Sequence, residues 1–167
     1  MAAPGPPIFV DANVLIDFAG VDLRVLGLVS SGIGEVRVVT EVLAEARTTD
    51  AAACGRVGIV VVTPTLAQIL AAGVRRAGLS FEDHLCLLAA KGAGARCLSN
   101  DQPLRSACAA EGVPCVWGLE IMLELVAADS LDRARADTVA VKIQACNPLH
   151  ISGAILAEFR RKLAAIP

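Results

Sequence analysis

Apolar and polar positions along the chain alternate between short β-branched runs and longer stretches of helical periodicity. Residues 8–10, Ile8-Phe9-Val10, form an apolar run that stops at Asp11; an amphipathic run over 12–18 follows at once and ends before Gly20. A second helical run covers 22–29 and is closed by Ser30-Ser31-Gly32. Residues 35–39 are rich in Val and lead through Thr40, a good N-cap residue, into a helix over 41–47. Small residues connect 48–58, with room for a helical turn, and 59–62 is the third strand pattern. Thr63 or Thr65 can cap a helix reaching about residue 77, with Gly78 as its stop. Ser80-Phe81-Glu82-Asp83 opens the longest apolar helical segment, 84–91, which stops at Gly92-Ala93-Gly94. A strand over 96–98 ends in Ser99-Asn100-Asp101, a helix over 102–111 closes at Gly112, and the fifth strand covers 113–117. Pro114 near its start suits a sheet edge, where a missing N–H is tolerated. After Gly118 the pattern is helical throughout, over 119–127, 131–146 and 152–165.

Strands alternating with helices predict a parallel sheet with right-handed crossovers and helices on both faces. The expected fold class is therefore α/β, a three-layer α/β/α arrangement around about five parallel strands. Residues 118–167 add a helical C-terminal portion. No internal repeat, low-complexity linker or shift in composition divides residues 1–167, so a single domain is expected. A chain of 167 residues can bury roughly 70% of its unfolded surface and needs no staples.

Composition narrows the function. Hydrophobic residues make up 55% of the chain and mean hydropathy is +0.62, much of it from alanine, which suits packed helices. Aromatics at 3% argue against an extended base-stacking platform. Fifteen basic against seventeen acidic side chains leave a net charge of −2, so any nucleic acid must be held by local basic patches. The six cysteines lack zinc-type spacing and are expected as buried free thiols in a reducing, cytoplasmic setting. Residues 1–7 have no positive region or apolar core of a signal peptide. The uncharged window 57–74 has the length of a membrane span, but Thr63-Pro64-Thr65 divides it into a strand and a helix, so no membrane role is expected.

Candidate chemistry lies with the acids. Asp11 follows the first strand, Asp101 follows the fourth, and Asp83 stands three residues after Ser80. Each has a plain explanation in helix capping, worth about 1 kcal/mol, and Ser80 with Asp83 matches a relaxed capping box. Glu45 is too far into its helix to be a cap and lies at the border of the apolar stripe. Its partner is either a base such as Arg47 or a metal shared with the aspartates. If the acids meet, two unit charges about 4 Å apart repel by roughly 4 kcal/mol at an effective dielectric near 20. A hard divalent cation, Mg²⁺ or Mn²⁺, relieves that repulsion. Asp11 and Asp101 can meet only if the first and fourth strands are neighbours at the sheet's switch point.

Other chemistries fit less well. His84 and His150 are the only histidines, and no serine sits in a nucleophile-elbow context. No GxGxxG follows the first strand. A dehalogenase-like phosphatase wants a second Asp two residues after the first, where this chain has Asn13.

With these residues in hand the chain resembles the PIN-domain family of metal-dependent nucleases, which includes VapC-type toxins. The resemblance rests on four segments in order: Val10-Asp11-Ala12-Asn13-Val14-Leu15; Val38-Val39-Thr40 with Glu45; Leu79-Ser80-Phe81-Glu82-Asp83; and Leu98-Ser99-Asn100-Asp101, with Ser in place of the usual Thr. It covers about residues 8–125, with departures at His84, usually a small residue, and at Glu41, an acid competing with Glu45. The resemblance implies strand order 3-2-1-4-5 and hydrolysis of RNA by a metal-activated water. It also implies Asp11, Glu45, Asp83 and Asp101 as catalytic, Mg²⁺- or Mn²⁺-binding acids. Asn13, Asn100, Arg47 and Arg105 are the expected substrate contacts, and Arg160-Arg161-Lys162 is read as a solvated helix face. A homodimer and a protein antitoxin are the implied partners. The alternative is a catalytically inactive PIN-like domain that binds nucleic acid or protein.

Overall fold

A computed structural model describes residues 5–167; residues 1–4 of the N-terminal lead-in lie outside the described residues. Five strands and ten helices succeed one another: β1 (Ile8–Val10), α1 (Ala12–Val21), α2 (Arg24–Gly32), β2 (Val36–Val39), α3 (Thr40–Glu45), α4 (Ala51–Arg56), β3 (Val60–Val62), α5 (Leu66–Ala72), α6 (Phe81–Gly92), β4 (Arg96–Leu98), α7 (Gln102–Ala110), β5 (Cys115–Val116), α8 (Glu120–Ala127), α9 (Arg133–Cys146) and α10 (Gly153–Ala165). The sheet is parallel throughout, in the order β3-β2-β1-β4-β5. The expected three-layer α/β architecture and strand order are both present. So is the adjacency of β1 and β4 on which a meeting of Asp11 and Asp101 depends.

The central strand β1 is buried at every position, as are Val36, Val38 and Val39 of β2 and Cys97 and Leu98 of β4. Strands covered on both faces read as continuous apolar runs rather than alternating ones, which is why Ile8-Phe9-Val10 was legible. Helix α6 packs across β1, β2 and β4 and is flanked by α5 and α7, while α2 packs on β2 and is followed outward by α8 and α9. Leu85, Cys86, Leu87 and Ala90 give α6 an almost wholly buried inner surface.

Side-chain caps set most of the helix starts. Asp11, Asp50, Thr65, Ser80, Asp101, Asp132 and Ser152 each accept a backbone N–H from three residues ahead. Thr65 forms a full capping box with Gln68, which settles the choice between Thr63 and Thr65.

Several boundaries differ from the sequence pattern, each for a local reason. The connection 48–58 holds α4, which Asp50 starts. Helix α5 ends at Ala72 rather than near residue 77, where Gly73 takes over as its C-cap. Strand β5 shrinks to Cys115–Val116, because Pro114 has no N–H to give and only its carbonyl enters the ladder, accepting from Cys97 N at 2.8 Å. Helix α1 runs through Gly20 to Val21, its last turn held by Asp22 N donating to Phe18 O. The six cysteines are free, four of them buried. No helix among the described residues is long and apolar enough to cross a membrane. Helix α5 exposes Leu66 and Leu70, and Val74 just beyond it, in an apolar row on one face.

Candidate metal centre at the carboxyl edge of the sheet

Val10 of β1 and Leu98 of β4 are register partners, so Asp11 and Ser99 leave the sheet side by side. Asp11 N donates to Leu98 O at 3.1 Å, and Ser99 N donates to Val116 O at 3.1 Å, which extends the ladder one step beyond the strands. Asp11 then caps α1, its Oδ1 accepting Val14 N at 2.8 Å. The Ser99 hydroxyl donates to the other oxygen, Oδ2, and accepts Asp101 N at 3.0 Å. One serine thus ties the first acid to the chain that carries the fourth. Asp101 Oδ2 caps α7 through Leu104 N at 2.9 Å, and Pro103 occupies the first turn, where its missing N–H costs nothing. Asp83 lies in the first turn of α6 with its N–H donated to Ser80 Oγ at 3.0 Å.

The capping role anticipated for Asp11 and Asp101 is real, whereas Asp83 is itself capped by Ser80 without closing a capping box, and capping does not account for the charge of these aspartates. None of Asp11, Glu45, Asp83 and Asp101 takes part in a salt bridge among the described residues. Asp11 is 1% exposed. Burial pushes its carboxyl up to about 7, against the opposing hydrogen bonds from Ser99 and Val14 N, and the charges of Asp83 and Asp101 push it further. Asp83 is raised by burial, with Ser80 opposing and Asp101 and Glu82 adding to the rise. Glu45 is raised by burial and then by Glu82 and Asp83. Asp83 thus adds to the negative field at both Asp11 and Glu45, and Asp101 to the field at both Asp11 and Asp83. Glu82, which sequence reasoning did not single out, belongs to the same negative field.

Glu45 departs from expectation. Helix α3 is only six residues long and ends at Glu45, whose side chain is exposed rather than leaning into the core. Its carboxylate has no hydrogen-bond or ion-pair partner among the described residues; Arg47 meets Glu45 only through the backbone, its N donating to Glu45 O at 3.0 Å. Arg47 is itself exposed and without an acidic partner.

Of the expected substrate contacts, Asn13 is exposed at the start of α1. Asn100 accepts Gly118 N at 2.8 Å through Oδ1. Gly118 must be glycine here: a Cβ would lie 2.9 Å from Asn100 Nδ2 and 3.2 Å from Val14 Cγ2. Arg105 donates to Ser99 O at 3.1 Å and to Cys115 O at 3.4 Å, and stacks over Trp117 at 3.7 Å from the ring centroid. Its guanidinium clamps the ends of β4 and β5. Arg160 and Arg161 are exposed and paired with Asp137 and Glu158, in keeping with a solvated face, whereas Lys162 is half-buried and pairs across to Glu120 of α8.

The donor chemistry suits a hard cation: carboxylate oxygens without cationic partners, repelling one another at a sheet's switch point. The spacing is more open than a closed site. Among the described residues no three His, Cys, Asp or Glu side chains stand close enough to hold a metal ion as arranged.

No family model and no curated protein matches the chain. Among solved structures it is similar to a PilT N-terminus domain protein from the hyperthermophilic archaeon Sulfolobus solfataricus P2. The TM-score is 0.54 at 13% identity, over 75% of this chain and 94% of that one. The likeness is one of fold, and it gives the α/β/α architecture a PIN-like, PilT N-terminus precedent.

The raised carboxyl of Asp11 makes a signed prediction for metal-free protein. Its folded pKa lies above the unfolded one, so ionising it opposes folding. That opposition is absent below the unfolded value of 3.8 and complete above about 7. The full cost is on the order of 4 kcal/mol, with roughly 3 kcal/mol of it added between pH 5 and pH 8. In chelator, Asp11→Asn should raise the melting temperature relative to wild type by several degrees more at pH 8 than at pH 5. Thermal scans at the two pH values check this; an equal shift at both contradicts a buried, elevated Asp11.

Proposed function

We propose that the protein is a Mg²⁺- or Mn²⁺-dependent endoribonuclease of the PIN-domain, VapC-like kind. The observation that carries this reading is the set of acids without cationic partners at the β1/β4 edge, with Asp11 buried and pushed up to about 7. A structural cap has no need of that arrangement, since Asn or Ser would satisfy the same backbone N–H at less electrostatic cost. The four segments shared with the family supply the substrate class, RNA.

In this reading Asp11, Asp83, Asp101 and Glu45 would hold the cation, which when bound would lower the pKa of a water and offset charge on the scissile phosphate. Ser99 fixes the rotamer of Asp11 and links it to the backbone of Asp101. Glu45, exposed at the end of α3, would have to turn toward Asp83 to join them, and Arg47, exposed just beyond that helix and without an acidic partner, is the proposed phosphate contact. Asn13 and Asn100 flank the edge as neutral contacts.

A second reading, a PIN-like module that binds without cleaving, is favoured by one observation: the acids are not spaced to hold a metal as arranged. Closure of Asp83, Asp101 and Glu45 around a cation separates the two. A cytoplasmic toxin restrained by an antitoxin is the biological setting we propose for the enzyme. Self-association through the apolar row Leu66, Leu70 and Val74 completes the picture. That pairing would give a solution mass twice 17.2 kDa, lost in Leu70→Glu.

The deciding experiment is an RNA cleavage assay with Mg²⁺ or Mn²⁺ on wild type and Asp11→Asn. The enzyme predicts metal-dependent cleavage that falls by at least about 100-fold in the variant, with growth arrest on expression of the wild type alone. Binding of RNA without cleavage under any divalent metal supports the module instead.

A further inference from the structure

A cavity of about 360 Å³ opens between the end of β5 and helices α8 and α10, one residue from the acid edge. That volume lies within the range of small-molecule sites, roughly 300–1,000 Å³. Its walls are flat and apolar: the Trp117 ring, Leu119, Ile155 and Phe159. Its polar groups are few, namely the Asn100 side chain, the Glu120 carboxylate with the Lys162 ammonium that pairs with it, and the Glu158 carboxylate, which is held by Arg161. Asn100 keeps its Oδ1 on Gly118 N, which leaves the Nδ2 donor for another partner.

We infer that this cavity takes one unpaired nucleobase of the RNA strand whose phosphate lies at the acid edge. The inference rests on the ribonuclease reading only in naming RNA as the source of the base. Three observations favour a base over another small ligand. Apolar walls including an indole suit a planar ring, because every base offers a π-face to stack. The Asn100 amide, the Glu120 and Glu158 carboxylates and the Lys162 ammonium supply the donors and acceptors by which base edges are read. Asn100 lines the cavity and is followed directly by Asp101, so the cavity and the acid edge share one short segment of chain. Arg105 holds Trp117 by its cation–π contact and also grips Ser99 O. Base site and acid site are therefore braced by one side chain. The shortage of aromatics rules out a multi-base platform, and a single pocket needs only one.

The test uses the intact chain, in which Trp117 is the sole tryptophan. Its indole N–H gives one cross-peak in a proton–nitrogen correlation spectrum, and that peak reports on the cavity whether or not RNA is cut. The probes are the four nucleoside 5′-monophosphates, ribose 5-phosphate and a single-stranded tetranucleotide, in metal-free buffer. The inference predicts a saturable shift with the mononucleotides, none with ribose 5-phosphate, and tighter binding by the tetranucleotide. Ala154→Phe, a filling substitution at an exposed wall position, should weaken binding by roughly tenfold or more, within what base stacking contributes. No shift with any nucleotide overturns the inference, even for a protein that cleaves RNA. Mononucleotide binding that the tetranucleotide does not displace also overturns it, assigning the cavity to a free nucleotide. Base binding in a chain that cuts no RNA leaves the pocket standing and removes the enzyme.

Discussion

The contact between the Ser99 hydroxyl and the buried carboxyl of Asp11 is the constraint on which the rest of the carboxyl edge depends. It exists because β1 and β4 are parallel neighbours in register, so that the first residue past each strand falls beside the other. A carboxylate in that position loses its water and is expensive to ionise without a partner. The fold supplies two hydrogen bonds, from Val14 N and Ser99, and no cation. The remaining imbalance is left as a carboxyl held near neutrality. Such an imbalance at a switch point is what a ligand of opposite charge relieves, and strained or electrostatically costly groups collect where function resides.

Around that contact the chain builds two braces. Ser99 accepts the Asp101 amide and fixes the start of α7, while Arg105 from the next turn of α7 returns to Ser99 O and stacks on Trp117. Asn100 grips Gly118 N, so the exit from β5 is tied to the same short segment. The consequence is that residues 99–101 stand between the acids on one side and the α8/α10 cavity on the other. A displacement at Trp117 has a physical route to Asp11 through Arg105 and Ser99.

Much of this was legible in the sequence because it depends on local pattern. Buried strands without alternation, caps three residues ahead of a backbone N–H, and acids at strand ends are all written in the chain. Asp11, Asp83 and Asp101 were legible as helix-start residues and as acids together, while the β1/β4 adjacency was the condition for Asp11 and Asp101 to meet and was expected from the family resemblance. Glu45 shows where pattern fails. A helical wheel assumes a helix that continues, whereas α3 stops at that residue and turns its side chain outward. Arg105 was legible as a basic residue near an acid but not as a clamp, since its partners Cys115 O and Trp117 come from a different strand end. The Trp117 cavity had no local signal at all. It is made by α10 packing back on α8 and α9, and only that tertiary contact brings Ile155 and Phe159 into one cavity with Asn100 and Trp117.

The central claim is that the acids at the β1/β4 edge gather around one divalent cation, and paramagnetic Mn²⁺ tests it most directly. Titrated in small amounts against isotope-labelled protein, Mn²⁺ broadens the amides nearest to where it binds. The account predicts that the amides around Asp11, Asp83 and Asp101 broaden first and together, and that Asp11→Asn removes the effect. Broadening that begins instead at surface acids such as Asp50, Asp129 or Asp132, or none at this edge at millimolar Mn²⁺, would contradict it.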